Sequence, residues 1–228
     1  MSSKSKAASA KCYMCSDTAT TREHIPARTF FPTGYRKELW SVPSCLKHNN
    51  NNSLDVEYVA GCIVSAIEST GVALEENQKK VFRAFDRRKR LMLGTYQDIR
   101  PIRLPSGEMT ATFRIDIDRF QSVMEALAYG IYNYTSKSTY KGRWRVVSPN
   151  LGTVETKHKG QRDDRAFLFN AFSEMSFDEI ATPQPDVFKC SAYTFPDGKV
   201  VYRFEFYNGV IVYAIDTFIY EVMTDGRL

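Results

Sequence analysis

Four residues near the start of the chain have the types and the spacing of a tetrahedral zinc site. Cys12 and Cys15 form one pair separated by two residues, and Cys45 and His48 form a second pair with the same separation. Two ligands at this spacing can bend back onto one metal ion, and a structural zinc ion needs two such pairs. The spacer of about thirty residues is longer than the roughly 15–20 of the common four-cysteine ribbon. A spacer of this length can hold further residues with a structural or chemical role.

The spacer contains Glu23 and His24, a carboxylate and an imidazole side by side. A histidine so close to a zinc site can be a further ligand, a packed structural residue or a general base. With an unperturbed pKa of about 6.5, an imidazole can take a proton from water at neutral pH. Glu23 and Asn49 offer the oxygen ligands that Mg²⁺ or Mn²⁺ prefers. Phosphodiester hydrolysis needs an activated water and a cation that stabilises the developing charge, and these residues can supply both.

Each of these residues also has a structural explanation. His24 can cap the loop beside the zinc site, and Glu23 can form an ion pair with Arg22 or Arg28. The run from Asn49 to Asn52 is typical of a turn, because asparagine hydrogen-bonds its own backbone and tolerates left-handed conformations. Both sets of explanations stay open at this level. Further candidates to contact a catalytic ion are Asn50, Asp55 and Glu57.

The composition indicates a soluble protein with one main core. The 228 residues are 43% hydrophobic, which is enough for one core and a small metal-stabilised module. We expect neither a transmembrane helix nor a signal peptide, because apolar runs are short and the first residues are polar, and we expect a cytoplasmic location. The five cysteines favour reduced thiols over a disulfide scaffold. Cys62 and Cys190 are isolated in apolar surroundings, and we expect them to be buried packing residues.

The net charge is only +5, but basic residues concentrate in one stretch. Such a stretch can neutralise phosphates and bind nucleic acid through counterion release. We predict nucleic-acid contacts from Lys79, Lys80, Arg83, Arg87, Arg88 and Arg90. A solvated helix face is the alternative explanation.

Hydrophobic periodicity predicts helices first and an antiparallel sheet later in the chain. A helix capped by Ser53 runs to about Ile67, and a second helix follows from about Leu74 to Leu93. The other predicted elements are a hairpin of Ile99 to Leu104 and Met109 to Ile115, a helix capped by Asp116 or Asp118, a strand from Trp144 to Val147, an exposed loop from Gly152 to Asp164, a helix from Arg165 to Met175, and strands from Cys190 to Phe195, Val200 to Tyr207 and Val210 to Thr217. The Asn208-Gly209 pair is the strongest hairpin signal.

These elements predict an α+β protein with four parts. Residues 1–10 are expected to be disordered, residues 11–60 to form the zinc module, and residues 61–94 to form a helical connector with the basic stripe. Residues 95–228 are expected to form an α+β domain on an antiparallel sheet, or alternatively a sandwich-like half packed on one helix.

The first sixty residues resemble the zinc-containing HNH endonucleases of the ββα-metal, or His-Me finger, type. In that family an acidic residue directly precedes the base histidine, and an asparagine directly follows the last zinc ligand. Glu23-His24 and His48-Asn49 occupy those places. The phage Holliday-junction-resolving endonucleases show a similar order, with cysteine at all four zinc positions. A group of bacterial HNH endonucleases is also similar, at Glu23, His24, Pro26, Phe30, Val42, Pro43, Cys45, Asn49, Ser53, Asp55, Glu57 and Tyr58.

The resemblance implies a treble-clef-like ββα-metal module, with structural zinc on the four Cys and His ligands. It also implies hydrolysis of DNA with His24 as general base and Mg or Mn on Glu23 and Asn49, in a setting such as bacterial or phage defence. A homodimer or a partner protein is left open. Many family members have an orienting asparagine where this chain has Trp40-Ser41-Val42, so we expect a backbone carbonyl to orient His24. The opposing hypothesis is a non-catalytic, zinc-stabilised module that binds nucleic acid or protein.

Overall fold

The computed structural model describes residues 10–50, 53–87, 96–149 and 164–224. The strands are β1 (Thr21–His24), β2 (Ser41–Ser44), β3 (Gln97–Arg103), β4 (Met109–Arg114), β5 (Trp144–Val147), β6 (Asp178–Ile180), β7 (Phe188–Thr194), β8 (Val200–Phe206) and β9 (Val210–Asp216). The helices are α1 (Leu46–Asn50), α2 (Ser53–Val64), α3 (Val72–Arg87), α4 (Ile117–Ser136), α5 (Asp164–Glu174) and α6 (Thr217–Thr224). The predicted α+β class with antiparallel sheets is confirmed.

The N-terminal part is a short hairpin followed by helices. β1 pairs antiparallel with β2, and the register places Thr21 opposite Ser44 and His24 opposite Ser41. The long connection between the strands contains two 3-10 turns, Arg28–Phe30 and Thr33–Tyr35. The backbone N–H of Ile25 donates to the carbonyl of Trp40 at 3.0 Å and so closes the open end of the hairpin.

The helices α2 and α3 differ from their predicted limits. α2 includes Ser53, the predicted N-cap, as its first described residue and ends at Val64 rather than Ile67. Its end is fixed by the turn that follows, because the Ser69 hydroxyl donates to the Ile63 carbonyl at 2.6 Å. α3 begins at Val72, two residues before the predicted start. The predicted end of that helix, the segment 1–9 and most of the predicted loop from residue 152 to 164 lie outside the described residues.

The hairpin of β3 and β4 and the helix α4 follow the prediction. The strands pair antiparallel, with an irregularity between Gln97 and Arg100. A carboxylate oxygen of Asp116 accepts the backbone N–H of Arg119 at 3.2 Å and caps α4. Lys137, with φ of 58°, ends this helix in the left-handed region.

A five-stranded antiparallel sheet with the order β5-β9-β8-β7-β6 forms the C-terminal part. One hydrophobic core joins the face of this sheet to α2, α4 and the N-terminal hairpin, as in the contact between the rings of Phe30 and Phe206 at 5.2 Å. A second, smaller core packs α5 and α6 on the sheet, around Leu168, Phe172 and Ile219. The domain limits predicted at residues 60 and 94 stay predictions. In the described part of the chain, no helix is long and apolar enough to span a membrane.

Candidate metal centre and adjoining cleft

The structure brings the four predicted zinc ligands together. The donor atoms of Cys12, Cys15, Cys45 and His48 all lie within 4.8 Å of one another. The Nδ1 atom of His48 lies 3.4 Å from the sulfur of Cys12 and 3.2 Å from that of Cys45, and the sulfurs of Cys15 and Cys45 are 3.9 Å apart. Ligands of a tetrahedral zinc ion would be roughly 3.5–3.8 Å apart, given Zn–S and Zn–N bonds of about 2.3 and 2.0 Å. The donor set therefore fits a metal ion such as zinc.

Backbone hydrogen bonds place the two ligand pairs. The first pair lies in a turn that is closed by the bond from the Cys12 N–H to the Asp17 carbonyl at 2.9 Å. The Tyr13 N–H donates to the Pro43 carbonyl at 2.9 Å and so ties this turn to β2. Cys45 directly follows β2, and His48 lies in α1. The hairpin thus brings together two ligand pairs that are far apart in sequence.

The thiols and the imidazole of this group have shifted pKa values. Burial acts to raise the pKa of Cys12, but backbone hydrogen bonds, the largest from Met14, bring it below its ordinary value. Burial lowers the pKa of His48, assisted by the positive charge of Lys47. Burial, with contributions from the neighbouring thiols, raises the pKa of Cys15 to about 12. A metal cation must displace that proton, because the thiolate is the ligand.

The predicted catalytic pair lies beside the metal-ligand group. Glu23 and His24 at the end of β1 line one cleft together with His48 and Tyr13. The cleft has a volume of about 390 Å³ when its open mouth is included. Three residues of α4 also line it, Val123, Ala126 and Leu127.

A glycine allows α4 to approach the residue that follows β1. A Cβ atom on Gly130 would lie 2.5 Å from the Cγ2 atom of Ile25, the residue after His24. Such a contact is shorter than side chains tolerate, so a larger residue would push α4 and the end of β1 apart. Gly130 was not predicted as a site residue, because helical periodicity does not reveal which residue faces the hairpin.

Glu23 is held in a half-buried position beside the cleft. Burial raises the pKa of its carboxyl group to about 7. The alternative that Glu23 pairs with Arg22 or Arg28 is wrong, since within residues 10–50, 53–87, 96–149 and 164–224 Glu23 forms no ion pair. Arg22 instead donates to the hydroxyl and the carbonyl of Ser41, at 3.0 and 2.8 Å.

His24 is half-buried, and its Nδ1 atom is fully buried with no hydrogen-bond partner among the described residues. The expectation that a backbone carbonyl orients this ring is therefore wrong. The residue lines the cleft.

The structure places the remaining predicted ligands in α1 and α2. Asn49 is half-buried in α1 beside His48 but is not one of the residues that line the cleft. Asp55 forms an ion pair with Arg119 at 2.6 Å, which joins α2 to α4. Glu57 is half-buried in α2. The side chain of Asn50 lies outside the described residues.

The predicted basic stripe is partly described. Lys79, Arg83 and Arg87 are exposed, and their spacing of four residues places them on one face of α3. The Arg83 guanidinium donates to the carbonyl of Lys79 at 2.9 Å. The side chain of Lys80 and the residues Arg88 and Arg90 lie outside the described part.

Comparison with protein-family models, curated proteins and solved structures finds no match to the chain. The functional proposal therefore rests on the site alone.

Proposed function

We propose that the protein is a metal-dependent HNH nuclease of the ββα-metal type that hydrolyses DNA phosphodiester bonds. One observation carries this proposal: Glu23 and His24 line the same cleft as His48 of the Cys and His metal-ligand group. A carboxylate that can hold a cation and an imidazole that can act as a base, side by side in one cleft, match what phosphodiester hydrolysis needs. The hairpin β1–β2 followed by α1 also supports a ββα-metal arrangement.

The two sets of residues have separate roles in this proposal. Cys12, Cys15, Cys45 and His48 hold a structural zinc ion, which is closed to substrate because its four positions are filled. His24 takes the proton from the attacking water. Its Nε2 atom does so, because Nδ1 is buried.

Glu23 and Asn49 are the proposed ligands of the catalytic ion. When bound, Mg²⁺ or Mn²⁺ supplies positive charge that stabilises the transition state and the leaving oxygen. Glu23 must be ionised to bind it, and a nearby cation favours the charged form of a carboxylate. Burial raises the pKa of Glu23 to about 7, so in the absence of a cation its carboxyl group is only partly ionised at pH 7. Asn49 supplies a neutral oxygen ligand from the neighbouring helix α1.

Plasmid nicking in Mg²⁺ or Mn²⁺ tests the proposal. We expect the wild-type protein to nick supercoiled plasmid, EDTA to stop the reaction, and His24→Ala to lower the rate by about 100-fold or more. His158→Ala, which removes the histidine between Lys157 and Lys159 far from this site in the sequence, is the control and should cleave at the wild-type rate. Unchanged cleavage by His24→Ala would refute the assignment of the base.

A non-catalytic module that binds nucleic acid or protein is the second candidate. It is favoured by the apolar wall that Val123 and Leu127 contribute to the cleft and by the unbonded Nδ1 atom of His24. In the same assay, this candidate predicts no cleavage by the zinc-loaded wild-type protein in either metal.

A further inference from the structure

The hairpin of β3 and β4 is exposed to solvent along nearly its whole length. Every residue of β3 is exposed, and in β4 only Thr110 and Phe113 are half-buried. Its apolar residues are exposed as well, with Ile99 at 60% and Met109 at 55%. A two-stranded hairpin is only marginally stable by itself in water. A binding partner that covers it would therefore stabilise it.

One face of this hairpin carries two arginines. Arg100 lies opposite Thr112, and Ile102 lies opposite Thr110. Side chains alternate along a strand, so Arg114 shares their face. We call these five residues the arginine face.

The opposite face of the hairpin contacts the rest of the protein. Phe113 lies on that face, and its ring packs edge-on against Tyr96 at 5.0 Å. Phe113 also packs against the main core. The arginine face therefore points away from this contact and is available to a ligand.

The outer edge of β3 is poorly suited to pair with another strand. Pro101 lies in the middle of β3 and has no N–H to donate, and the register is irregular between Gln97 and Arg100. Proline and strand irregularities are common devices against edge-to-edge pairing. The side chains of the arginine face are thus better suited to binding than the β3 edge.

The charges of the arginine face are available to an anion. Within the described residues, the side chain of Arg100 has no hydrogen-bond or ion-pair partner. Arg114 pairs with Asp98, but both side chains are about half exposed. Exposed ion pairs contribute little to stability, so Arg114 can exchange this partner for a phosphate.

We propose that the arginine face binds duplex DNA, with the β3–β4 hairpin in the major groove. This inference rests on the proposed nuclease function and assigns a substrate-binding element outside its cleft. The major groove, about 12 Å wide, admits a two-stranded β-ribbon. Arginine contacts phosphates or guanine edges, and threonine and isoleucine methyl groups contact the thymine methyl group.

Fluorescence anisotropy with the zinc-loaded protein and a labelled duplex of about 20 base pairs, roughly two helical turns, in buffer without Mg²⁺ or Mn²⁺ to prevent cleavage, tests this proposal. We expect Arg100→Ala/Arg114→Ala to weaken binding by about 10-fold or more. If both arginines contact phosphates, the slope of log K against log salt falls by about 1.8. Arg145→Ala removes an exposed arginine from β5 and should bind like the wild type. Arg100→Lys/Arg114→Lys should recover part of the affinity, because the charge is kept and the bidentate geometry is lost.

Two outcomes separate this proposal from the nuclease proposal. If the double alanine variant binds duplex as tightly as the wild type, the arginine face is not the DNA contact, whether or not the protein cleaves DNA. If it loses binding while the wild type never cleaves, the face is supported and the nuclease activity is refuted. Sedimentation equilibrium tests whether a second copy of the chain covers this face instead. If the protein is a dimer that Ile102→Thr dissociates, and the arginine changes leave DNA binding unaffected, the partner of the arginine face is a second copy of the chain and not DNA.

Discussion

Gly130→Ala places one methyl group between α4 and the residue that follows His24. Its Cβ atom would lie 2.5 Å from Cγ2, 3.2 Å from Cδ1 and 3.3 Å from Cβ of Ile25, which is buried. Alanine in place of glycine inside a helix gains about 1 kcal/mol where space is free. Overpacking a core costs about 1–3 kcal/mol. We expect an overpacking cost near the upper end of this range, because the new methyl group meets three atoms of one buried side chain. The free energy of unfolding should therefore fall by about 2 kcal/mol in total.

Thermal unfolding measures this loss. For a chain of this size, about 2 kcal/mol lowers the Tm by roughly 4–8 °C. Gly34→Ala is the control, because its Cβ atom would meet only the Glu76 carboxylate, at an ordinary 3.4 Å. In a double-mutant cycle, Gly130→Ala should lower the Tm less in the Ile25→Ala background than in the wild type, because the atoms of Ile25 that the new methyl group meets have been removed. A raised Tm for Gly130→Ala would refute the close approach of α4 to the end of β1.

Three further predictions concern the site and the core that supports it. Because burial raises the pKa of Glu23 to about 7, the folded, zinc-loaded protein without Mg²⁺ or Mn²⁺ binds more protons than the unfolded chain between the ordinary glutamate pKa and pH 7. The free energy of unfolding should therefore fall as the pH rises through this window. Urea titrations at several pH values should show that Glu23→Gln removes this pH dependence. An unchanged pH dependence in the variant would contradict the burial of Glu23. Elemental analysis should find about one zinc ion per chain in the wild type and in Cys62→Ala, and none in Cys45→Ser. Chelation should unfold the N-terminal module. A wild-type protein without zinc would contradict the proposed zinc site. Tyr207→Phe should cost about 1–3 kcal/mol in urea unfolding, because its hydroxyl bonds the Phe30 carbonyl at 2.5 Å and the amide of Asn77 at 2.7 Å; an unchanged midpoint would contradict these bonds.

The metal-ligand group could be predicted from spacing because its chemistry is local to two short pairs. The hairpin between the pairs could not be derived from periodicity, since Thr21–His24 is polar and its burial pattern does not alternate. Its strands are fixed by bonds to distant residues instead, as when the Thr21 hydroxyl donates to the Ser44 carbonyl at 2.9 Å. The lack of a hydrogen-bond partner for the Nδ1 atom of His24 among the described residues likewise depends on how distant segments of the chain meet, and a linear pattern does not contain this information.

The C-terminal sheet shows the same limit. The hairpin of β8 and β9 was predicted correctly, but the residues with positive φ are Tyr207 and Asn208 rather than Asn208 and Gly209. Gly209 serves packing, because a Cβ atom there would lie 1.7 Å from the Glu68 carbonyl oxygen. β9 was predicted to reach Thr217, yet Asp216 caps a new helix, α6, by accepting the N–H of Phe218 at 3.0 Å. The short strand β6 was not predicted, since three residues carry no detectable period.

Chemical rescue of His24→Gly tests the central claim most directly. If His24 is the general base beside the metal-ligand group, the zinc-loaded variant should lose plasmid nicking in Mn²⁺ and regain part of it as imidazole is added. The gain should follow the neutral form of imidazole as the pH is raised. Nicking by His24→Gly at the wild-type rate without imidazole would contradict the account.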